Sequence, residues 1–281
     1  MAYISLTLSG VSIHPVLFQL GPLKLHSYGL MIFLAFAFGL WLGVRRSRPA
    51  GIASNTIMDF VVWMMVSSII GARLTYVIAH WSEFSARPLD AVSPVQSDGT
   101  IGIAGLVVLG GVALAVPTAV WFARKRNIPF WKLMDVMMPS LAFGLAIGRI
   151  GCFLNGCCFG VPTVAPWGVV FPKGSLAASV FPGMHLHPTQ IYDFIYNTLI
   201  GLGLLWYFPR RRFDGELFAL FFLLYGAMRI WVESLRYYDA SRIPFTLFGA
   251  QITGSMIGSA LMVAGGVYLL LKPPTKLFKN D

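Results

Sequence analysis

Gly148-Arg149-Ile150-Gly151-Cys152-Phe153-Leu154-Asn155-Gly156-Cys157-Cys158-Phe159-Gly160 closes a long apolar run. It holds one arginine, one asparagine, four glycines and all three cysteines of the chain. An arginine at the end of a hydrophobic segment is costly unless something solvates it or uses it. Glycines permit tight turns and close approach of backbone or ligand. The stretch therefore reads as a polar, tightly turned spot at the edge of a membrane, the floor of a site for an anionic headgroup.

The rest of the chain agrees with a membrane setting. Of 281 residues, 57% are hydrophobic and 11% are charged, whereas a soluble domain carries about 25% charged residues. A net charge of +10 raises nucleic acid as a partner, but the apolar background excludes that reading and the placement of the charges explains them better. Met1 to Leu20 lacks a basic leader followed by a short apolar core, so no cleavable signal peptide is expected. The three cysteines fall within seven residues, and no histidine follows at ligand spacing, so the pattern is not that of a zinc site. They read as small side chains in a tight helix end, with a disulfide or a reactive thiol as the alternative. No metal or cofactor is assigned.

Apolar runs of about 20 residues, the length a bilayer core requires, predict an all-α integral membrane protein with about seven transmembrane helices. The spans fall at Leu25–Val44, Ile57–His80, Ile101–Phe122, Leu133–Arg149, Thr189–Phe208, Glu216–Leu235 and Phe248–Leu271. Residues 1–24 read as an outer-face segment with room for a short interfacial helix. Residues 150–188, rich in Gly and Pro, read as an outer-face arm within a single transmembrane domain of residues 1–281. One set of flanks holds Arg45, Arg46, Arg48, Arg124, Lys125, Arg126, Lys132, Arg210, Arg211, Arg212, Lys272, Lys276 and Lys279, 13 of the 21 Lys and Arg. Basic loops mark the cytoplasmic side, which puts the N-terminus outside and the C-terminus inside. There is no internal repeat of the kind inverted-repeat transporters carry.

On this topology the polar residues of the spans gather at one depth. Arg73 lies in the outer half of span two and Arg149 at the outer end of span four. Arg229, Glu233 and Arg236 share one face of span six. Tyr28 stands near the outer end of span one, and His187 opens span five. Each has a plainer reading. Arg73 can snorkel to headgroups, Glu233 can be only a partner for the arginines, Tyr28 beside His26 can be an interfacial aromatic, and His187 can be a loop residue. Arginines from three spans at one depth favour the other reading, a cationic pocket for phosphate, which guanidinium binds through two hydrogen bonds.

The motifs resemble those of the prolipoprotein diacylglyceryl transferase family. The resemblance rests on Tyr28-Gly29-Leu30-Met31, Gly71-Ala72-Arg73-Leu74-Thr75-Tyr76, Asp135, Gly148 to Gly160, and His187-Pro188-Thr189-Gln190-Ile191-Tyr192-Asp193. Arg229 through Glu233 to Arg236, and Gly249 with Gln251, complete it. It implies transfer of the diacylglyceryl group of phosphatidylglycerol to the lipobox cysteine thiol of a preprolipoprotein, in the bacterial inner membrane, with glycerol phosphate released. It further implies catalytic roles for Arg229, Glu233, Arg236 and Tyr28, and substrate binding by Arg149, Arg73, Asn155, Gly156 and His187. Two features depart from the family pattern. The span-three His-Gly-Gly is replaced by Leu109-Gly110-Gly111, and Cys152 and Cys157 occupy positions that are polar in the family. The departures leave the proton acceptor open among His187, Glu233 and the leaving phosphate. They also keep in view a phospholipid-binding relative without this activity. A transporter or channel is the third reading, disfavoured because the charges do not line a path across both leaflets.

Overall fold

The computed structural model describes residues 16–20, 23–85, 105–239, 245–247 and 250–274. Two short strands, β1 (Val16–Leu20) and β2 (Leu23–His26), pair with each other. They stand where an interfacial helix was expected. The alternation of apolar and polar residues in Phe18-Gln19-Leu20 and in Leu23-Lys24-Leu25-His26 suits strands better than a helix. The long helices follow: α1 (Ser27–Ser47), α2 (Ser54–Ala79) with the single turn α3 (Trp81–Phe84), α4 (Val108–Lys125) and α5 (Phe130–Leu154). A short α6 (Leu176–Val180) precedes α7 (Thr189–Tyr207) and α8 (Glu216–Ser234). The strands β3 (Phe245–Leu247) and β4 (Ala250–Ile252) pair antiparallel before α9 (Gly254–Leu271).

Six of these helices (α1, α2, α4, α5, α8 and α9) are long and apolar enough to cross a membrane. The seventh long helix, α7, has 19 residues but buries Gln190, Asp193 and Asn197, and these polar side chains lower its mean hydropathy. The chain is a multi-pass, all-α membrane protein. Three span boundaries differ from the sequence expectation by five residues or more; one is the end of span four, where α5 runs on to Leu154, past Arg149. Span three begins at Val108, not Ile101, because Gly105 takes φ +69°, outside helical backbone. Span seven begins at Gly254, not Phe248, because the β3–β4 pair uses the residues before it and Thr253 caps the helix by accepting from the Met256 amide at 3.2 Å. Gly249 lies outside the described residues, and Gln251 pairs with Thr246.

The chain forms two compact units. The smaller contains Gly43–Leu133. In it α2 and α4 touch along glycines. A β-carbon on Gly71 would lie 2.3 Å from the Gly110 carbonyl, and one on Gly110 would lie 2.0 Å from Thr75 Oγ1. In lipid, where apolar side chains gain nothing by leaving their surroundings, such close backbone contact is what holds helices together. Gly110→Val therefore has nowhere to put its side chain. Overpacking of this kind costs about 1–3 kcal/mol, so we expect the melting temperature in detergent to fall by on the order of 5 °C. Gly265→Ala, whose β-carbon meets nothing within 4 Å, is expected to leave it unchanged.

The larger unit contains Lys24–Leu42 and Met134–Thr275. Here α8 and α9 make the same kind of contact, with Gly226 against the Ser259 carbonyl and Gly266 against the Ala219 carbonyl. The fully buried Asp135 on α5 accepts the Gly215 amide at 2.8 Å and the Phe218 amide at 3.0 Å. These amides belong to the start of α8, whose first donors have no partner within the helix. The turn into α8 is thereby fixed from α5. The irregular stretch after α5 begins at Asn155 and packs a small core against the end of that helix, in which Phe153 of α5 is buried with Phe159, Val169, Phe171, Ala177 and Leu186.

Candidate functional site

The site lies in the larger unit, where the end of α5, the start of α7, the end of α8 and the start of α9 meet. Its framework is a chain of ion pairs. Asp193, on the first turns of α7, accepts from two arginines through one oxygen: Arg149 Nε stands 2.8 Å from its Oδ2 and Arg229 Nη1 stands 3.1 Å away. Arg229 continues through Nη2 to Glu233 Oε2 at 2.7 Å, one helical turn on. Arg236 Nη1 approaches the same Glu233 oxygen at 3.9 Å. Three arginines thus share two carboxylates. The Asp193 and Glu233 side chains are 3% and 0% exposed and that of Arg229 is 7% exposed, so solvent does little to screen the group.

Neutral donors complete the arrangement. Glu233 Oε1 accepts from Thr253 Oγ1 at 2.9 Å and from the Tyr238 hydroxyl at 2.5 Å. Burial, opposed by Arg236 and helped by the bond to Glu233, pushes the Tyr238 phenol up to about 12, so it remains a donor at any physiological pH. Arg229 Nε donates to Ser255 Oγ at 3.3 Å. Arg236 Nε is buried, and among the described residues no acceptor reaches it. A buried, ionised donor without an acceptor is costly, and it is what a site for an anion requires.

The backbone holds these parts in register. The segment from Phe159 to Thr163 runs between Leu235–Tyr237 and His185–His187. Gly160 donates to the His187 carbonyl at 2.9 Å, Val161 to Leu235 at 2.9 Å, and Tyr237 to Phe159 at 3.2 Å. A β-carbon at Gly160 would fall 2.6 Å from both the His187 β-carbon and the Leu235 carbonyl, so glycine is required there. Gly156 and Cys158 both take left-handed backbone, at φ +67° and +63°. The turn is pinned from α7, where buried Thr189 donates to the Cys158 carbonyl and buried Gln190 to the Cys157 carbonyl, each at 2.6 Å. As a result the thiols of Cys152, Cys157 and Cys158 lie within 4.8 Å of one another, a proximity that their spacing in the sequence did not suggest. Hydrogen bonds from the Cys152 and Cys157 thiols draw the Cys158 thiol below its ordinary value against the effect of burial, and the guanidiniums of Arg236 and Arg149 add to the shift.

The other expected residues are distributed as follows. Tyr28 packs at the start of α1 against Gly151, where a β-carbon would meet its ring at 3.2 Å. Asn155 is half-buried just past the end of α5, its backbone amide donating to the Gly151 carbonyl at 3.0 Å, while the Cys157 thiol donates to the Cys152 carbonyl. His187 Nδ1 faces the Tyr192 hydroxyl at 3.1 Å, and burial lowers its pKa, which keeps the imidazole neutral. Arg73 belongs to the smaller unit, where its guanidinium stands over the Phe84 ring at 5.2 Å. Leu109, also in that unit, is 79% exposed on the first turn of α4.

The sequence has relatives. A model of the prolipoprotein diacylglyceryl transferase family matches residues 15–272. The chain belongs to the prolipoprotein diacylglyceryl transferase family. Among its members, the phosphatidylglycerol–prolipoprotein diacylglyceryl transferase of Synechococcus elongatus is 37% identical over 237 residues, 82% of this chain and 80% of that one. The enzyme of the same name from Finegoldia magna is 32% identical over 267 residues, covering 95% and 98% of the two chains. That of Clostridium tetani is 35% identical over 222 residues, covering 79% and 85%.

Four residues of the site carried no role in the sequence reading. Asp193 was visible only as the last letter of a motif, although an aspartate in an apolar helix needs a cationic partner, and that signal pointed to the arginines. Thr253, Ser255 and Tyr238 left no signal. Their part depends on where α9 starts and how the chain returns from α8, which only the fold reveals.

Proposed function

We propose that this chain transfers the diacylglyceryl group of phosphatidylglycerol to the lipobox cysteine of a preprolipoprotein, as a multi-pass protein of the bacterial inner membrane. The observation that carries this reading is the imbalance of the ion-pair chain among the described residues: three arginines on two carboxylates, with no acceptor there within reach of Arg236 Nε. One phosphodiester anion balances that charge and supplies the missing acceptor. The positive-inside rule supports an outer-face position for the site, with the N-terminus outside. The arm of residues 150–188, with its exposed Trp167 and Met184, suits a guide for the acceptor peptide.

In this reading Arg149 holds the phosphate, with Asn155, the backbone at Gly156, Tyr28 and His187 as further headgroup contacts. The acceptor thiolate attacks the glyceryl carbon that bears the phosphate. A C–S bond forms as the C–O bond breaks, and the electron pair passes to the phosphate oxygen. The thiol proton is released, and glycerol phosphate departs with one more negative charge than the diester carried. Arg229 and Arg236 meet that growing charge. Asp193, Glu233, Thr253 and Tyr238 fix the guanidiniums beforehand, so little reorganisation is needed at the moment of reaction.

The test is an assay of the purified chain with phosphatidylglycerol and a lipobox peptide, read by mass spectrometry. The expected product is a diacylglyceryl peptide, absent when the peptide cysteine is serine. Leu109→His is expected to change the rate by less than about threefold, since an exposed side chain on a first turn makes few contacts. Phospholipid binding without any product would favour the non-catalytic relative.

A further inference from the structure

The ion-pair chain accounts for the phosphate but leaves two things without a use: a cluster of three thiols, and the question of what takes the proton from the acceptor when Leu109 stands in the histidine's place. We propose that Cys152, Cys157 and Cys158 form a binding site for one thiophilic d10 cation, zinc(II) above all, and that its open fourth position takes the acceptor thiol. The second half of this inference rests on the transfer reaction proposed above.

The cluster is built. Its three sulfur atoms lie within 4.8 Å of one another, and all three cysteines are free and half-buried. Tetrahedral zinc with Zn–S of about 2.3 Å separates its sulfur ligands by about 3.8 Å, so small side-chain rotations close the set. The backbone is committed to this arrangement. Cys158 holds a left-handed conformation that is uncommon for any residue other than glycine, and such a conformation persists only where its surroundings impose it. Gln190 and Thr189 impose it through the two neighbouring carbonyls. A vicinal pair of cysteines that serves only to fill space needs no such clamp.

The chemistry suits the reaction. Thiolates select zinc and copper(I) over harder ions. Zinc sites with three protein ligands keep a fourth position for a substrate, and a thiol that coordinates zinc there is deprotonated outright. The acceptor would arrive as RSH, lose its proton to solvent on binding, and stay on the metal as a thiolate until its sulfur forms the new bond to carbon. No oxidant or reductant is required. Arg149 and Arg236 act electrostatically on Cys158 and would offset the negative charge of a zinc–thiolate group. They also place it next to the phosphate that leaves.

The experiment uses the full chain, purified in detergent under reductant, desalted after loading with zinc(II) or, as a spectroscopic probe, cobalt(II). Elemental analysis is expected to give one zinc per chain, and cobalt to show sulfur-to-metal charge-transfer absorption. Cys157→Ser and Cys158→Ser are each expected to weaken binding by more than about 100-fold, beyond what loss of an outer contact costs, with melting behaviour used to verify that each variant folds. A lipobox peptide should shift the cobalt spectrum, and the same peptide with serine should not. Less than half an ion per chain in the wild type, retention of zinc by the serine variants, or a disulfide among the three cysteines in membranes alkylated before any reductant is added would overturn the site. Zinc bound in full, with a spectrum indifferent to the peptide or a transfer rate unchanged after chelation, would overturn the role in thiol activation. A zinc-loaded protein that responds to the peptide yet forms no product would instead count against the proposed transfer reaction.

Discussion

Replacing Asp193 with alanine is expected to destabilise the protein by about 3–5 kcal/mol, the cost of removing one partner from a buried ion pair. The reason is the shared oxygen. Arg149 and Arg229 both bond Asp193 Oδ2, so its loss leaves two guanidiniums facing each other across a site that water barely reaches. Asp193→Asn keeps the shape but not the charge, and its loss of stability should be smaller. The readout is thermal unfolding in detergent, with phospholipid added in a second series. An anionic lipid such as phosphatidylglycerol should recover part of the lost stability in Asp193→Ala, because it restores a negative partner. A zwitterionic lipid should recover little. An Asp193→Ala protein as stable as the wild type would show that the two arginines find other partners and that the bridge is incidental.

The same residues show how far the sequence could be read. Arg149, Arg229, Glu233 and Arg236 announced themselves, because charges in apolar helices are expensive and few. Apolar runs bounded by basic clusters made six of the long helices legible as candidate spans. The bridge itself was not legible, since nothing in the spacing between Arg149 and Asp193 says that α5 and α7 meet at those positions. The cysteine cluster was hidden for a different reason. It depends on left-handed backbone at Gly156 and Cys158, and at Cys158 that conformation is set by Gln190 and Thr189, residues more than thirty positions further on. The starts of α4 and α9 were misplaced because apolar residues extend past the point where Gly105 and Thr253 set the boundary. Hydrophobicity locates a span more readily than it locates its ends.

Arg149→Ala carries the largest expected effect on activity. Removing one preorganised donor from a site of developing negative charge costs about 100- to 1,000-fold in turnover, or about 2.7–4 kcal/mol. Here the fold should survive, because Asp193 keeps Arg229 as a partner. A loss of kcat/KM with near-normal melting behaviour would separate a catalytic effect from a structural one. Arg149→Lys should recover only part of the rate, since an ammonium lacks the planar pair of donors that matches a phosphate. Full activity in Arg149→Ala would remove this residue from the phosphate site.

The Arg149–Asp193 bridge also bears on how the protein is made. The ribosome delivers α5 before α7, so for a time Arg149 enters the translocon with no carboxylate to meet it. An arginine at the centre of an inserting helix costs about 2.5–3.5 kcal/mol and less toward the surface. By contrast, α8 brings Arg229 and Glu233 on adjacent turns, so these two charges enter lipid already paired. At this point in synthesis, an earlier helix is settled in the bilayer by a later one.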